Sequence, residues 1–127
     1  MNTQDKPHRI LVVDALLDIL NLFHDILDEQ GYEVEISNFV FEGLTTIEKL
    51  QPNLIILDFD REGTVDEWRL LKKLKLYPST AAIPVMICMA PLFLTQDQEA
   101  HFRQKNIRLL FSPIDKDELL TAVKQML

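Results

Sequence analysis

Asp14 closes the apolar run Ile10-Leu11-Val12-Val13, and Asp58 closes the run Leu54-Ile55-Ile56-Leu57. A continuous run of this length, rich in β-branched residues, reads as a strand buried on both faces of a parallel sheet, so its next residue emerges at the carboxyl edge. Carboxylates placed there face a ligand crevice. A metal-dependent site of this design needs a second carboxylate beside the first. The residue after Asp14 is Ala15.

The elements that would position these side chains follow from the period of the apolar residues, which switches from strand to helix five times. Ile10 to Val13 is the first strand. Leu16, Ile19, Leu20, Phe23 and Leu27 recur at helical spacing, and Gly31 suits a left-handed cap beyond the helix end. Val34 and Ile36 alternate with Glu33 and Glu35, the pattern of a half-exposed edge strand. Asn38 is a candidate cap for a second helix with Val40, Leu44, Ile47 and Leu50 inward, ended by Pro52. Leu54 to Leu57 is the third strand, and a polar loop runs from Asp60 to Thr64. A third helix spans about Asp66 to Leu76 and stops before Pro78. Ile83 to Cys88 is the fourth strand. Thr95 caps a fourth helix, with Asp97 and Glu99 at its positive end and Ala100 and Phe102 inward. Arg108 to Phe111 is a fifth strand, and a last helix from near Asp115 buries Leu119, Val123 and Met126.

This alternation predicts an α/β fold: a flavodoxin-like, doubly wound, five-stranded parallel sheet of order 2-1-3-4-5 with five helices. In that order strands one and three are neighbours, so Asp14 and Asp58 stand side by side. One domain is expected over 1–127, with 1–8 as a flexible N-terminal tail, because 127 residues at 47% hydrophobic content bury a core without staples. A net charge of −7 argues against nucleic acid or an anionic membrane as a direct partner. Lys72, Lys73 and Lys75 are the one basic cluster, read as the solvated side of a helix. Cys88 is the single cysteine and sits in an apolar run, so no disulfide framework is expected. The polar N-terminus and the short apolar stretch behind it fit neither a signal peptide nor a membrane span. A cytoplasmic protein is expected.

From about Arg9 to Leu127 the chain resembles a response-regulator receiver domain of two-component signalling. Ile10-Leu11-Val12-Val13-Asp14 resembles that family's first strand, Gly31-Tyr32-Glu33-Val34 its second, and Glu42-Gly43-Leu44 the start of its second helix. Pro52 to Asp58 is similar to the segment carrying the phosphoacceptor aspartate. Ile83-Pro84-Val85 resembles the opening of the fourth strand, and Ser112-Pro113-Ile114-Asp115 stands where the family has Lys-Pro-Phe.

The resemblance implies that Asp58 is the phosphoacceptor equivalent and that Asp14, Asp58 and Asp60 form the acidic pocket, Asp60 through its backbone carbonyl. In the family, adjacent acidic residues after strand one and the phosphoacceptor hold magnesium, which neutralises charge on the transferred phosphoryl group. Here Ala15 removes one ligand, and Met89 and Ser112 replace the Thr or Ser and the Lys that grip the phosphoryl group. Each such charge-assisted bond contributes about 1.5 to 3 kcal/mol, whereas inverting a two-state switch from 1:99 to 99:1 takes about 5.5 kcal/mol. Losing both anchors removes most of the switch. The resemblance therefore implies a degenerate receiver that requires no cofactor, with magnesium at most weakly held by Asp14, Asp58 and Asp60. It implies a signalling module rather than an enzyme, bound to a histidine kinase or another signalling protein. The fourth helix, fifth strand and fifth helix, about Thr95 to Leu127, form the implied contact face and the face for a homodimer. No output domain is expected after Leu127.

Other readings stand beside this one. Asp14 has a purely structural role open to it as a helix N-cap. Met89 to Leu94 is almost wholly apolar, and either packs against the domain, where it would desolvate Asp58, or forms a protein-binding patch. Trp68 reads as a partial core filler or a contact residue. His8, His24 and His101 share no metal-binding spacing. Within the family, poor phosphorylation at Asp58 with Asp60 helping to hold magnesium is the alternative. Outside it, Asp58-Phe59-Asp60 followed by Gly63-Thr64 resembles the Asp-x-Asp-Gly-Thr motif of haloacid dehalogenase-type phosphatases, with Asp58 as nucleophile and Asp60 as general acid. Arg61 and Glu62 break that motif's spacing.

Overall fold

The apolar runs pair with one another, which hides both their side chains and their backbone polar groups. In a computed structural model of the chain, residues 6–38, 43–59, 64–90 and 95–127 are described. The strands are β1 (Arg9–Val13), β2 (Glu33–Ser37), β3 (Leu54–Asp58), β4 (Val85–Met89) and β5 (Ile107–Phe111). They form a parallel sheet of order β2-β1-β3-β4-β5, the predicted order. The helices α1 (Leu17–Asp28), α2 (Gly43–Leu50), α3 (Val65–Leu76), α4 (Gln96–Gln104) and α5 (Lys116–Met126) alternate with the strands.

Alternate residues of each strand feed two cores. Ile10, Val12, Ile56 and Cys88 pack against Leu20, Phe23 and Leu27 of α1 and Leu119 and Val123 of α5. Leu11, Val13, Leu57 and Met89 face Ile47 of α2, Leu71 and Leu74 of α3, and the half-buried Phe102 of α4. Burying one such side chain stabilises the fold by roughly 1.5 to 3 kcal/mol. The central strands supply most of them, since Leu54 to Leu57 and Val85 to Cys88 are all inaccessible. β2 lies at the sheet edge as expected, with Val34 half-buried and Ile36 exposed.

The helix ends follow local chemistry. Gly31 adopts φ 89°, the left-handed conformation expected of it, and its N–H donates to Asp28 O at 3.0 Å. The extended backbone of Tyr77 ends α3 before Pro78. Thr95 caps α4 through a reciprocal box with Gln98. The Ser112-Pro113 peptide is cis.

Four expectations need correction. Leu16 is 63% exposed and outside the core, because it occupies the N-cap position of α1 before the helix turns inward. Ala100 points to solvent while Phe102 is half-buried, so α4 meets the sheet along a narrower stripe than its sequence suggests. Lys75 is not on a solvated face: it is half-buried, and its Nζ donates to Ala81 O at 3.2 Å and Ile83 O at 2.7 Å. The ordered backbone begins before Ile10, since Arg9 is in β1 and His8 O accepts from Glu33 N at 2.9 Å. Asn38 lies beyond β2, and Val40, expected in the second helix, lies outside the described residues.

Candidate functional site

Val13 is in register with Leu57 on the neighbouring strand, which sets Asp14 and Asp58 on the next rung, with backbones roughly 4.8 Å apart. Both side chains project on the face of Val12 and Ile56, toward α1 and α5, because side chains alternate along a strand. Asp58 is in register with Cys88 of β4. Burial first, then the charges of Asp58 and Asp14, push the Cys88 thiol far above its ordinary pKa. The register thus sets the two aspartates at the ends of neighbouring strands, as the strand order predicts.

Asp14 is buried, at 5% exposure. Its Oδ1 accepts from Leu16 N at 3.2 Å, which holds the turn into α1. It does not cap the helix: Leu16 is the N-cap residue and has no side-chain cap bond, since the turn uses two residues before the helix begins. Asp14 Oδ2 is buried without a hydrogen-bond partner among the described residues. An orphaned anionic oxygen is costly unless a cation or water meets it. This oxygen and the neighbouring Asp58 carboxylate fit a cation held partly through water. Ala15 is exposed and brings no ligand. No group of three or more metal-binding side chains occurs among the described residues, and Asp60, the third predicted ligand, lies outside them.

Asp58 is half-buried and borders a cavity of about 290 Å³ between α1 and the start of α5. Phe23, Ser112, Pro113 and Lys116 also line it. Ser112 is exposed, and its N–H donates to Met89 O at 2.8 Å. Lys116 is a site residue that sequence reasoning missed. It lies four positions beyond Ser112, too far for a motif to flag, and its Nζ is 3.7 Å from Glu29 Oε2. Met89 is 1% exposed and belongs to the core on the opposite face from Asp58, so it presents no polar group to the carboxylates.

Of the apolar segment Met89 to Leu94, only Met89 and the half-buried Ala90 are described, so the choice between packing and patch lies outside the described residues. Trp68 is half-buried, edge-on to Phe59 at 4.9 Å and stacked on Phe102 at 5.8 Å, which fits the partial-filler reading. Thr64 forms a capping box with Glu67 at the start of α3. That explains the threonine of the phosphatase-like stretch without chemistry.

The fold and this edge define a doubly wound domain with its acidic site at the end of β1 and β3. Over 94% of its length the chain is 32% identical to the DNA-binding dual master transcriptional regulator RpaA of Synechocystis sp., and it spans 48% of that protein. The N-terminal domain of a response regulator receiver protein from Methanoculleus marisnigri superposes with a TM-score of 0.73 at 27% identity, covering 96% of this chain and 98% of that one. The chemotaxis response regulator CheY4 of Vibrio cholerae gives 0.79 at 19% identity, covering 96% and 100%, a likeness of fold. No family model matches the chain. The chain thus has the fold of the response-regulator receiver domains, the signalling modules of two-component systems, and is similar to them in sequence. Receiver domains interact with histidine kinases and other signalling proteins. No helix among the described residues is long and apolar enough to cross a membrane.

Proposed function

We propose that this receiver is degenerate and acts by binding a protein partner, a histidine kinase or another two-component protein, largely independently of phosphorylation at Asp58. The observation that carries this reading is the contrast between the carboxylates of Asp14 and Asp58 and the phosphate-gripping positions. Met89 faces the opposite core, and Ser112 carries no charge. Magnesium, where it binds, is held weakly by Asp14 and Asp58 with Asp60, because Ala15 leaves the cation one carboxylate short. The domain catalyses no reaction, works in the cytoplasm, and makes no direct contact with nucleic acid or membrane. α4, β5 and α5 form the partner face and the surface for a homodimer.

Slow phosphorylation at Asp58 is a second reading, favoured by the orphaned Asp14 Oδ2, which a cation would satisfy. A pull-down with wild type and Asp58→Asn tests the first. Equal recovery of the same partner is expected. Loss of the partner in the variant would favour the second.

A further inference from the structure

We propose that the groove between α3 and α4 binds small amphipathic carboxylates, a body of apolar carbon carrying one anionic head. The groove encloses about 660 Å³, the size of a small-molecule site. Trp68, Leu71, Met89, Phe102 and Ile107 supply an apolar floor. Trp68 and Phe102 stack on each other, 13° from parallel, and make this lining aromatic. Leu76 stays 66% exposed at the mouth, an apolar surface that the domain does not cover.

The rim carries the charge. Lys72 projects from α3 and Lys105 follows α4, both exposed. Neither forms an ion pair among the described residues. Lys75 gives its ammonium to two backbone carbonyls, so its stem extends the apolar wall. Among the described residues no acidic side chain lines the groove, although the chain as a whole carries −7. Cations concentrated above an aromatic floor on an acidic protein attract an anionic head and accept an apolar body. The lysines also disfavour a neutral or cationic ligand of the same shape relative to an anion. A bound molecule would touch Met89, one residue beyond the partner of Asp58 in β4, and so could bias the site edge without phosphate. The binding site stands whether or not Asp58 is phosphorylated.

The test uses the full 15N-labelled chain titrated with decanoate, decanol or an acidic amphipathic peptide, with amide shifts and calorimetry as readouts. Decanoate should give saturable shifts confined to α3, α4 and Met89, and raised salt should weaken it. The double variant Lys72→Gln/Lys105→Gln, whose sites are exposed, should keep the wild-type far-ultraviolet spectrum. It should lose about tenfold in decanoate affinity, or about 1.4 kcal/mol, and leave decanol unaffected. Absence of saturable shifts and heat with decanoate would overturn the proposal, as would unchanged decanoate affinity in the double variant. Binding by the peptide alone would overturn the small-molecule assignment in favour of a protein partner.

Discussion

On the β1–β3 side of the carboxyl edge, Asp14 and Asp58 keep their carboxylates on one face, and one oxygen of Asp14 is buried without a partner among the described residues. On the β4–β5 side, Met89 sends its thioether into the opposite core and Ser112 ends in an exposed hydroxyl. The first half brings two carboxylates together. At Met89 and Ser112 the second offers no charged side chain to an anion, which supports the proposed degenerate reading. A receiver needs both halves, because phosphoryl transfer requires charge neutralisation and the switch requires differential contacts to the product.

The largest expected effect concerns Cys88, the atom that both carboxylates influence. Buried and held neutral, its thiol should react with a disulfide-exchange reagent at least about a thousandfold more slowly than an unfolded thiol, because reaction must await opening. Its raised pKa also has a sign. Below the ordinary thiol value of about 8.5, the contribution to stability is complete. Above it, the unfolded chain loses a proton that the fold retains, so stability should fall as pH rises, and Cys88→Ala should flatten that slope in urea titrations. Fast labelling of folded protein would place Cys88 outside the site's core.

Met89→Thr restores a polar side chain where the family has one. It should cost about 2 to 3 kcal/mol in urea denaturation, because a buried thioether leaves a cavity and a hydroxyl enters an apolar core. A neutral result would mean that the β4 side can still present a polar group to Asp58. Ala15→Asp sits at an exposed position and adds a carboxylate beside Asp14, so magnesium affinity measured by calorimetry should rise about tenfold. An unchanged affinity would show that the cation, if bound, is not centred on β1. The smallest effect is that of Asp14→Asn. Its oxygen can still accept from Leu16 N while the buried charge beside Asp58 disappears, so metal-free stability should rise by about 1 kcal/mol. A loss of stability would make Asp14 a structural residue.

Much of this arrangement was legible in the chain. The strand order and the meeting of Asp14 with Asp58 follow from buried β-branched runs and right-handed crossovers, which leave few topologies. Thr95 and Gly31 announced themselves because caps are local chemistry. The box formed by Thr64 and Glu67 was equally local, a Thr-x-x-Glu spacing that passed unread beside the Asp-x-Asp stretch. Lys75 and the α3–α4 groove were hidden, since the carbonyls of Ala81 and Ile83 meet Lys75 only after the chain turns back at Pro78. The N-cap role left open for Asp14 does not apply, because sequence adjacency to a helix does not say how many residues the intervening turn consumes.

The central claim is tested most directly by incubating the chain with acetyl phosphate and magnesium and measuring its intact mass. The account predicts no stable gain of a phosphoryl group on the wild type, while a phosphorylatable receiver treated in parallel gains one. A persistent, stoichiometric gain that disappears in Asp58→Asn would contradict it.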